Sequence, residues 1–239
     1  QGVDYVNYTL TGGQTGAEKG SMLILSSGNH ALYQRLESSL KLIGNPKYFG
    51  PRIDAAADVK FIGHLMVFGG LIGISSAIAV HAESFMGGQL GGAEQVEFFN
   101  FLNTGAGGTK QWDVSAAVGI RDGRWDSAFQ AKFGLVDAIY VAERCASLGV
   151  SRLTFDFLVR VILALQFVME KLNLQFATHA IIQGLIRSNA KELDAFLLSK
   201  LPAPNLSPQE TLTAITRGLP SEVRASVRLD IRDVDFQSF

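Results

Sequence analysis

The sequence predicts a mainly helical body preceded by a few β-strands, and three observations carry that reading. Before Pro51, β-rich apolar runs alternate with glycine-containing breaks. From residue 61 to residue 80 no residue is formally charged. Beyond that run, apolar residues recur at helical spacing almost to the C-terminus.

Residues 3–10 read as a strand, a glycine-containing loop follows, and Met22 to Leu25 form a short apolar strand ending near Gly28. Asn29 can cap the next helix, whose Leu32, Leu36, Leu40 and Ile43 fall on one face, with Gly44 as its stop. Residues 47–50 read as one more brief strand. The uncharged run follows as a helix, then a glycine-rich break at 87–92, a helix bearing Phe98, Phe99 and Leu102, and a second glycine-rich loop at 105–108. Phe129, Phe133, Val136 and Tyr140 mark another helix closed by Gly149, and residues 154–185 continue the helical pattern through Phe155, Leu158, Ile162 and Leu165. Ser207-Pro208-Gln209-Glu210 spells a capping box, after which Leu212, Ile215 and Leu219 share a face. A last helix would align Val223, Val227, Ile231 and Val234 beside Arg224, Arg228 and Arg232. The expected division is 1–52, 53–187 and an extension 188–239.

Twenty-one basic and 22 acidic residues leave a formal charge of -1, and no basic cluster suggests a groove that follows phosphates, so nucleic acid is not an expected partner. The single cysteine, Cys145, cannot form an intramolecular disulfide, reads as core packing, and favours a reduced, cytoplasmic setting. The uncharged run is long enough to cross a bilayer. Its glycines, serines and His64, and the lack of an aromatic belt or basic flank, favour a buried helix of a soluble body, with no membrane partner.

Few residues point to chemistry. Residues 16–21 lack the order of a phosphate-binding loop, and Gly105-Ala106-Gly107 lacks both the preceding strand and the third glycine of a dinucleotide fingerprint. His30, His64, His81 and His179 have no metal-ligand spacing, so no metal is expected. Lys60 and His64, four apart at the entrance to the uncharged helix, are neighbours on one face. Where water is partly excluded, a lysine's neutral form is favoured and it can exchange a proton with a substrate hydroxyl. Residue type alone equally allows a lysine snorkelling from the helix end beside a core histidine. Thr11-Gly12-Gly13 can bring a hydroxyl and backbone N–H groups close to a carboxylate, or can be a plain turn.

Taken in order, these pieces resemble the β-hydroxyacid dehydrogenases of the 6-phosphogluconate-dehydrogenase-like superfamily, 3-hydroxyisobutyrate dehydrogenase among them. The strand with Thr11-Gly12-Gly13, the strand ending Ser27-Gly28 and the helix to Gly44 are similar to the end of that family's Rossmann domain. Residues 54–66, with Lys60, resemble its long interdomain helix, and Phe129-Gln130-Ala131-Lys132-Phe133-Gly134-Leu135 resembles its later lysine motif. The resemblance implies a catalytic Lys60, His64 where the family has asparagine, a substrate loop at Thr11, Gly12 and Gly13, and Lys132 reaching toward the cofactor. Thr11 stands in place of serine, and Phe133 in place of aspartate. The implied activity is hydride transfer between NADP or NAD and a small carboxylate-containing hydroxy acid or aldehyde, in a homodimer. Imine reductases share the architecture, and a non-catalytic helical dimerisation module is the third reading. The glycine-rich nucleotide-binding half would lie upstream of residue 3, so this chain alone is expected to lack it and to be inactive.

Overall fold

The computed structural model describes residues 4–227, which form two compact units divided between Met66 and Val67. The first unit contains β1 (Val6–Thr11), α1 (Gly13–Glu18), β2 (Met22–Gly28), α2 (His30–Leu40), β3 (Gly44–Tyr48) and the start of α3 (Ala55–Phe85). Its sheet has the order β1-β2-β3, with β1 antiparallel and β3 parallel to β2. The stretch expected as a loop at 16–20 is α1 and its closing turn, with Gly13 already helical.

Asn29 caps α2 as expected, its side chain accepting the Leu32 N–H at 3.0 Å. The anticipated face is not the buried one: Leu36 and Ile43 are exposed, and Tyr33 is buried. Tyr33 and Tyr48 lie 5.3 Å apart between ring centroids, and His30 lies 4.6 Å from Tyr48, so aromatic packing moves the buried line off the leucines. Gly44 is not the helix stop either. It opens β3, where a Cβ would lie 2.2 Å from the Met22 carbonyl oxygen, so its lack of a side chain permits close strand pairing.

The second unit is helical. After the rest of α3 come α4 (Ala93–Leu102), a π-helical stretch (Trp112–Ala116) leading into α5 (Ala117–Asp122), and α6 (Ala131–Ser147). Then follow α7 (Arg152–Phe167) with a π-helical end (Val168–Leu172), a 3-10 turn (Thr178–Ala180) into α8 (Ile181–Leu185), α9 (Arg187–Lys200), α10 (Pro208–Arg217) and α11 (Ser221–Arg224). The continuous helical pattern expected over 154–185 is therefore broken between Leu172 and Thr178, and the helical segment around Trp112 had no counterpart in the expectations.

Helix α3 is long and apolar enough to cross a membrane, with a mean hydropathy of 1.9, yet only 44% of its most apolar window is buried within the chain. Burial is one-sided rather than all round. His64, Phe68, Leu71, Ser75, Ile78 and Ala82, spaced four and three apart, face inward, while Ile62, Met66, Val80 and Phe85 are exposed. In the second unit Ile74 and Ile78 join Phe99, Trp112, Ile120 and Ile182 in one cluster.

Helices α6 and α7 pack together; Ala131, Gly134, Leu135, Ala138, Ile139, Val141, Ala142 and Cys145 are buried on the first, and Phe155, Leu158, Ile162 and Leu165 on the second. The α7 face is the expected one. That of α6 is not: Phe133 is exposed, because the close approach selects the small residues. A Cβ on Gly134 would lie 2.6 Å from Thr178 Cγ2. Cys145 is a free, buried thiol whose pKa burial pushes up. The capping box forms, with the Ser207 N–H bonded to Glu210 Oε2 at 2.8 Å and the Glu210 N–H to Ser207 Oγ at 3.3 Å. Leu212, Ile215, Leu219 and Val223 are buried beneath it, while Ile231, Val234, Arg228 and Arg232 lie outside the described residues.

His179 is fully buried, and its Nε2–H donates to the Arg124 carbonyl at 2.8 Å. Nδ1 has no hydrogen-bond partner among the described residues, so a second proton there would be buried unsatisfied. Burial holds the imidazole pKa below its ordinary value, against smaller opposing contributions from the Arg124 carbonyl and Asp126. Because the folded pKa is depressed, this stabilisation is complete above the ordinary histidine pKa and is lost as pH falls through the folded value. The melting temperature should therefore drop on acidification from about pH 7.5 to about pH 5, and His179→Gln should flatten that dependence. Separately, Gly44→Ala should destabilise the chain by about 2 to 3 kcal/mol in urea titrations, because the new methyl meets backbone rather than a movable side chain.

Candidate functional site

The candidate site of the first unit is built where β1 and β2 meet the entrance of α3. Ser27 is buried, and its hydroxyl donates to the Ile53 carbonyl at 2.8 Å while accepting the Ala56 N–H at 3.0 Å. On the neighbouring strand the Thr9 hydroxyl donates to the Ala56 carbonyl at 2.9 Å, and the Asn7 amide donates to the Ile53 carbonyl at 3.1 Å. Asn7 stands opposite Ser27, Thr9 opposite Leu25 and Thr11 opposite Leu23, so the three polar residues of β1 share the sheet face on which α3 begins.

These bonds set where α3 begins: Asn7 meets Ile53 and Thr9 meets Ala56. The next residue on that strand face is Thr11, and the next helical turn carries Lys60. Ala56, Lys60, His64 and Phe68 form one line along α3, of which Ala56, His64 and Phe68 are buried and Lys60 is half-buried. Lys60 thus belongs to the inward stripe of the helix, not to its exposed side.

Arg52 lies before the helix and bridges two carboxylates, Asp54 at 2.6 Å and Asp58 at 2.5 Å. The hydrogen bond to Asp58, reinforced by the charges of both acids, holds the guanidinium pKa above its usual range. The acidic charge nearest Lys60 along the helix is consequently engaged by Arg52. Beyond Thr11, Gly12 has φ +137° and Gly13 has φ +59°, and a Cβ on Gly13 would meet nothing within 4 Å.

Lys132 belongs to the second unit, in the first turn of α6. That turn is fixed by a bridge between Gln130 and Ala177 and by the Ala131 N–H bonded to the Phe176 carbonyl at 2.9 Å. The Lys132 ammonium rests 5.0 Å from the centroid of the exposed Phe133 ring. The described residues hold no group of three or more potential metal ligands.

Sequence reasoning singled out Thr11, Lys60 and His64 but missed Asn7, Thr9 and Ser27. A signal for the first two was present: polar Asn7, Thr9 and Thr11 alternate with Val6, Tyr8 and Leu10, the period of a strand with a polar inner face.

No family model matches the chain. It is 26% identical over 80 residues to 2-(hydroxymethyl)glutarate dehydrogenase of Eubacterium barkeri, covering 34% of this chain and 27% of that protein. Among solved structures, 3-hydroxyisobutyrate dehydrogenase from Salmonella typhimurium superposes with a TM-score of 0.62 at 18% identity, over 75% of this chain and 60% of that one. The Mycobacterium tuberculosis 3-hydroxyisobutyrate dehydrogenase, solved with L-serine, gives 0.60 at 14% identity over 75% and 60% of the two chains. Psf3 in complex with NADP+ and 2-OPP gives 0.61 at 18% identity over 77% and 61%.

Proposed function

We propose that this chain is the substrate-binding and dimerisation portion of an NAD(P)-dependent β-hydroxyacid dehydrogenase, with the cofactor bound mainly by a domain outside this chain. Its fold is that of the 3-hydroxyisobutyrate dehydrogenases, a mainly helical domain preceded by a short sheet, and the chain spans about three fifths of the length of those solved structures. The observation that carries this reading is half-buried Lys60 one turn before buried His64 on α3, a helix whose first turn is held to β1 and β2 by the Asn7, Thr9 and Ser27 hydrogen bonds.

In this reading the nicotinamide supplies the hydride acceptor or donor. Lys60 Nζ takes the proton from the substrate hydroxyl during oxidation and returns it during reduction. The Thr11 hydroxyl and the N–H groups of Gly12 and Gly13 hold the substrate carboxylate, and His64, one turn beyond Lys60, orients the substrate. Lys132 engages the cofactor. The substrate is a small hydroxy acid or aldehyde bearing a carboxylate, for which the Thr11 hydroxyl and the Gly12 and Gly13 N–H groups provide the hydrogen-bond donors. The free buried thiol of Cys145 suits a reduced, cytoplasmic setting.

We further propose a homodimer, supported by the exposed Val80, Phe85, Phe98 and Leu102 around an apolar groove between α3 and α4. Light scattering of the purified chain at several low concentrations should give twice the monomer mass. A monomeric mass at full helicity and solubility would remove this part of the proposal.

In the complete gene product, Lys60→Ala should lower kcat by at least about a hundredfold, the scale of a lost general acid–base group. The melting temperature should stay nearly unchanged, since a half-exposed lysine contributes little packing. Full turnover in that variant would overturn the assignment.

A further inference from the structure

We infer that Thr9 and Ser27 are positioning residues for Lys60, forming a hydroxyl latch that sets the first turn of α3. The inference rests on the catalytic reading of Lys60. An α-helix leaves its first N–H groups without partners inside the helix, and an unheld first turn frays. Here the partner comes from the sheet. Ser27 Oγ, buried and 29 residues earlier in the chain, accepts the Ala56 N–H, and the same hydroxyl donates its own proton to Ile53.

Thr9 acts on the other side of the same residue, donating to the Ala56 carbonyl. In α-helical geometry that carbonyl also accepts the N–H four residues on, which is that of Lys60. Both polar groups of the Ala56 backbone are therefore tied to side chains of the sheet, and the carbonyl is shared with the lysine. The backbone after Ser27 is built for this approach. Gly28 has φ +108°, and a Cβ there would lie 2.6 Å from Ile53 Cδ1 and 2.9 Å from the Tyr5 carbonyl oxygen. A side chain at position 28 would push the strand away from the segment that Ser27 holds.

The two hydroxyls differ in what they fix. Ser27 spans Ile53 and Ala56 and so closes the entry into the helix. Thr9 sits two residues before Thr11 on the same strand face, so it also sets how far along β1 the helix lies. Loss of either lets the first turn move, and Lys60 with it, while the remaining core of each unit keeps its contacts. Displacements of about 1 Å from changes remote from the reacting atoms can cost about a hundredfold in rate, so a partial loosening should cost about tenfold.

The test uses Thr9→Val, which keeps the shape and removes the donor, Thr9→Ser, which keeps the donor, and Ser27→Ala. Ser207→Ala, which removes a helix cap from α10, is the control. On the 239-residue chain, acetic anhydride acylation of Lys60 is measured by peptide mass relative to Lys41, Lys47 and Lys132 of the same molecules, which cancels any general loss of stability. Thr9→Val and Ser27→Ala should raise the relative rate at Lys60 at least about threefold by exposing it, whereas Thr9→Ser and Ser207→Ala should leave it at the wild-type value. In the complete gene product Thr9→Val should lower kcat about tenfold with KM within about twofold, and Thr9→Ser should restore it.

An unchanged Lys60 acylation ratio in folded Thr9→Val overturns the latch, and that variant decides alone if Ser27→Ala does not fold. If the ratio moves in Thr9→Val while Lys60→Ala keeps full turnover, the latch stands and the dehydrogenase reading falls.

Discussion

The entrance of α3 governs the first unit. The Ala56 N–H and the Ile53 carbonyl are backbone groups that the helix does not satisfy from within; Ser27 and Asn7 supply their partners, and Thr9 adds a second donor to the Ala56 carbonyl. A side-chain cap of this kind contributes about 1 kcal/mol. Its larger effect is geometric. Three tethers from two strands fix where the helix starts on the sheet, and with it the first turn that leads to Lys60. Arg52, through Asp54 and Asp58, adds exposed ion pairs to the same turn, which solvent screens, so the buried hydroxyls dominate.

How much of this was legible depended on which residue types carried the information. Asn29 and the Ser207 capping box were readable because caps are local: donor and acceptor lie three residues apart. The inner face of α7 was readable because bulky apolar residues recur along it. The inner face of α6 was not, since small Gly134, Ala138 and Ala142 are buried there beside Leu135 and Ile139, while the aromatic Phe133 that seemed to mark the face is exposed. Hydropathy also located the middle of α3, within Ala55–Phe85, but not its orientation. With no charged residue between positions 61 and 80, nothing in composition separates buried Phe68 and Ile78 from exposed Met66 and Val80. Only spacing relative to the neighbouring helices decides that.

The site divides along the same line. Lys60 and His64 could be paired from their spacing, because a helix makes residues four apart neighbours without reference to anything else. Ser27 could not be connected to Ala56 by any local rule, being 29 residues away, and a serine in an apolar strand ending at glycine is compatible with many roles. Gly44 was misread for a related reason. A glycine after a helix is the usual stop signal, and the contact that requires it here, the Met22 carbonyl, belongs to the neighbouring strand.

The substitution of phenylalanine for aspartate after Lys132 looks at first like a loss of function, because the ammonium is drawn onto the Phe133 ring. The magnitudes point elsewhere. A cation–π contact at an exposed ring is worth about 0.5 to 1 kcal/mol. A hydrogen bond from the same ammonium to an anionic group contributes about 1.5 to 3 kcal/mol. Phe133 is exposed, so solvent already competes for the lysine's charge, while the β-bridge at Gln130 and the Ala131 hydrogen bond fix the backbone beneath it. The side chain is held weakly and its base firmly. A carboxylate at position 133 would instead have bound the ammonium by charge as well, and an incoming phosphate would have had to displace it. The aromatic neighbour thus leaves Lys132 easier to recruit, and the departure from the family pattern is compatible with the cofactor-binding role proposed for it.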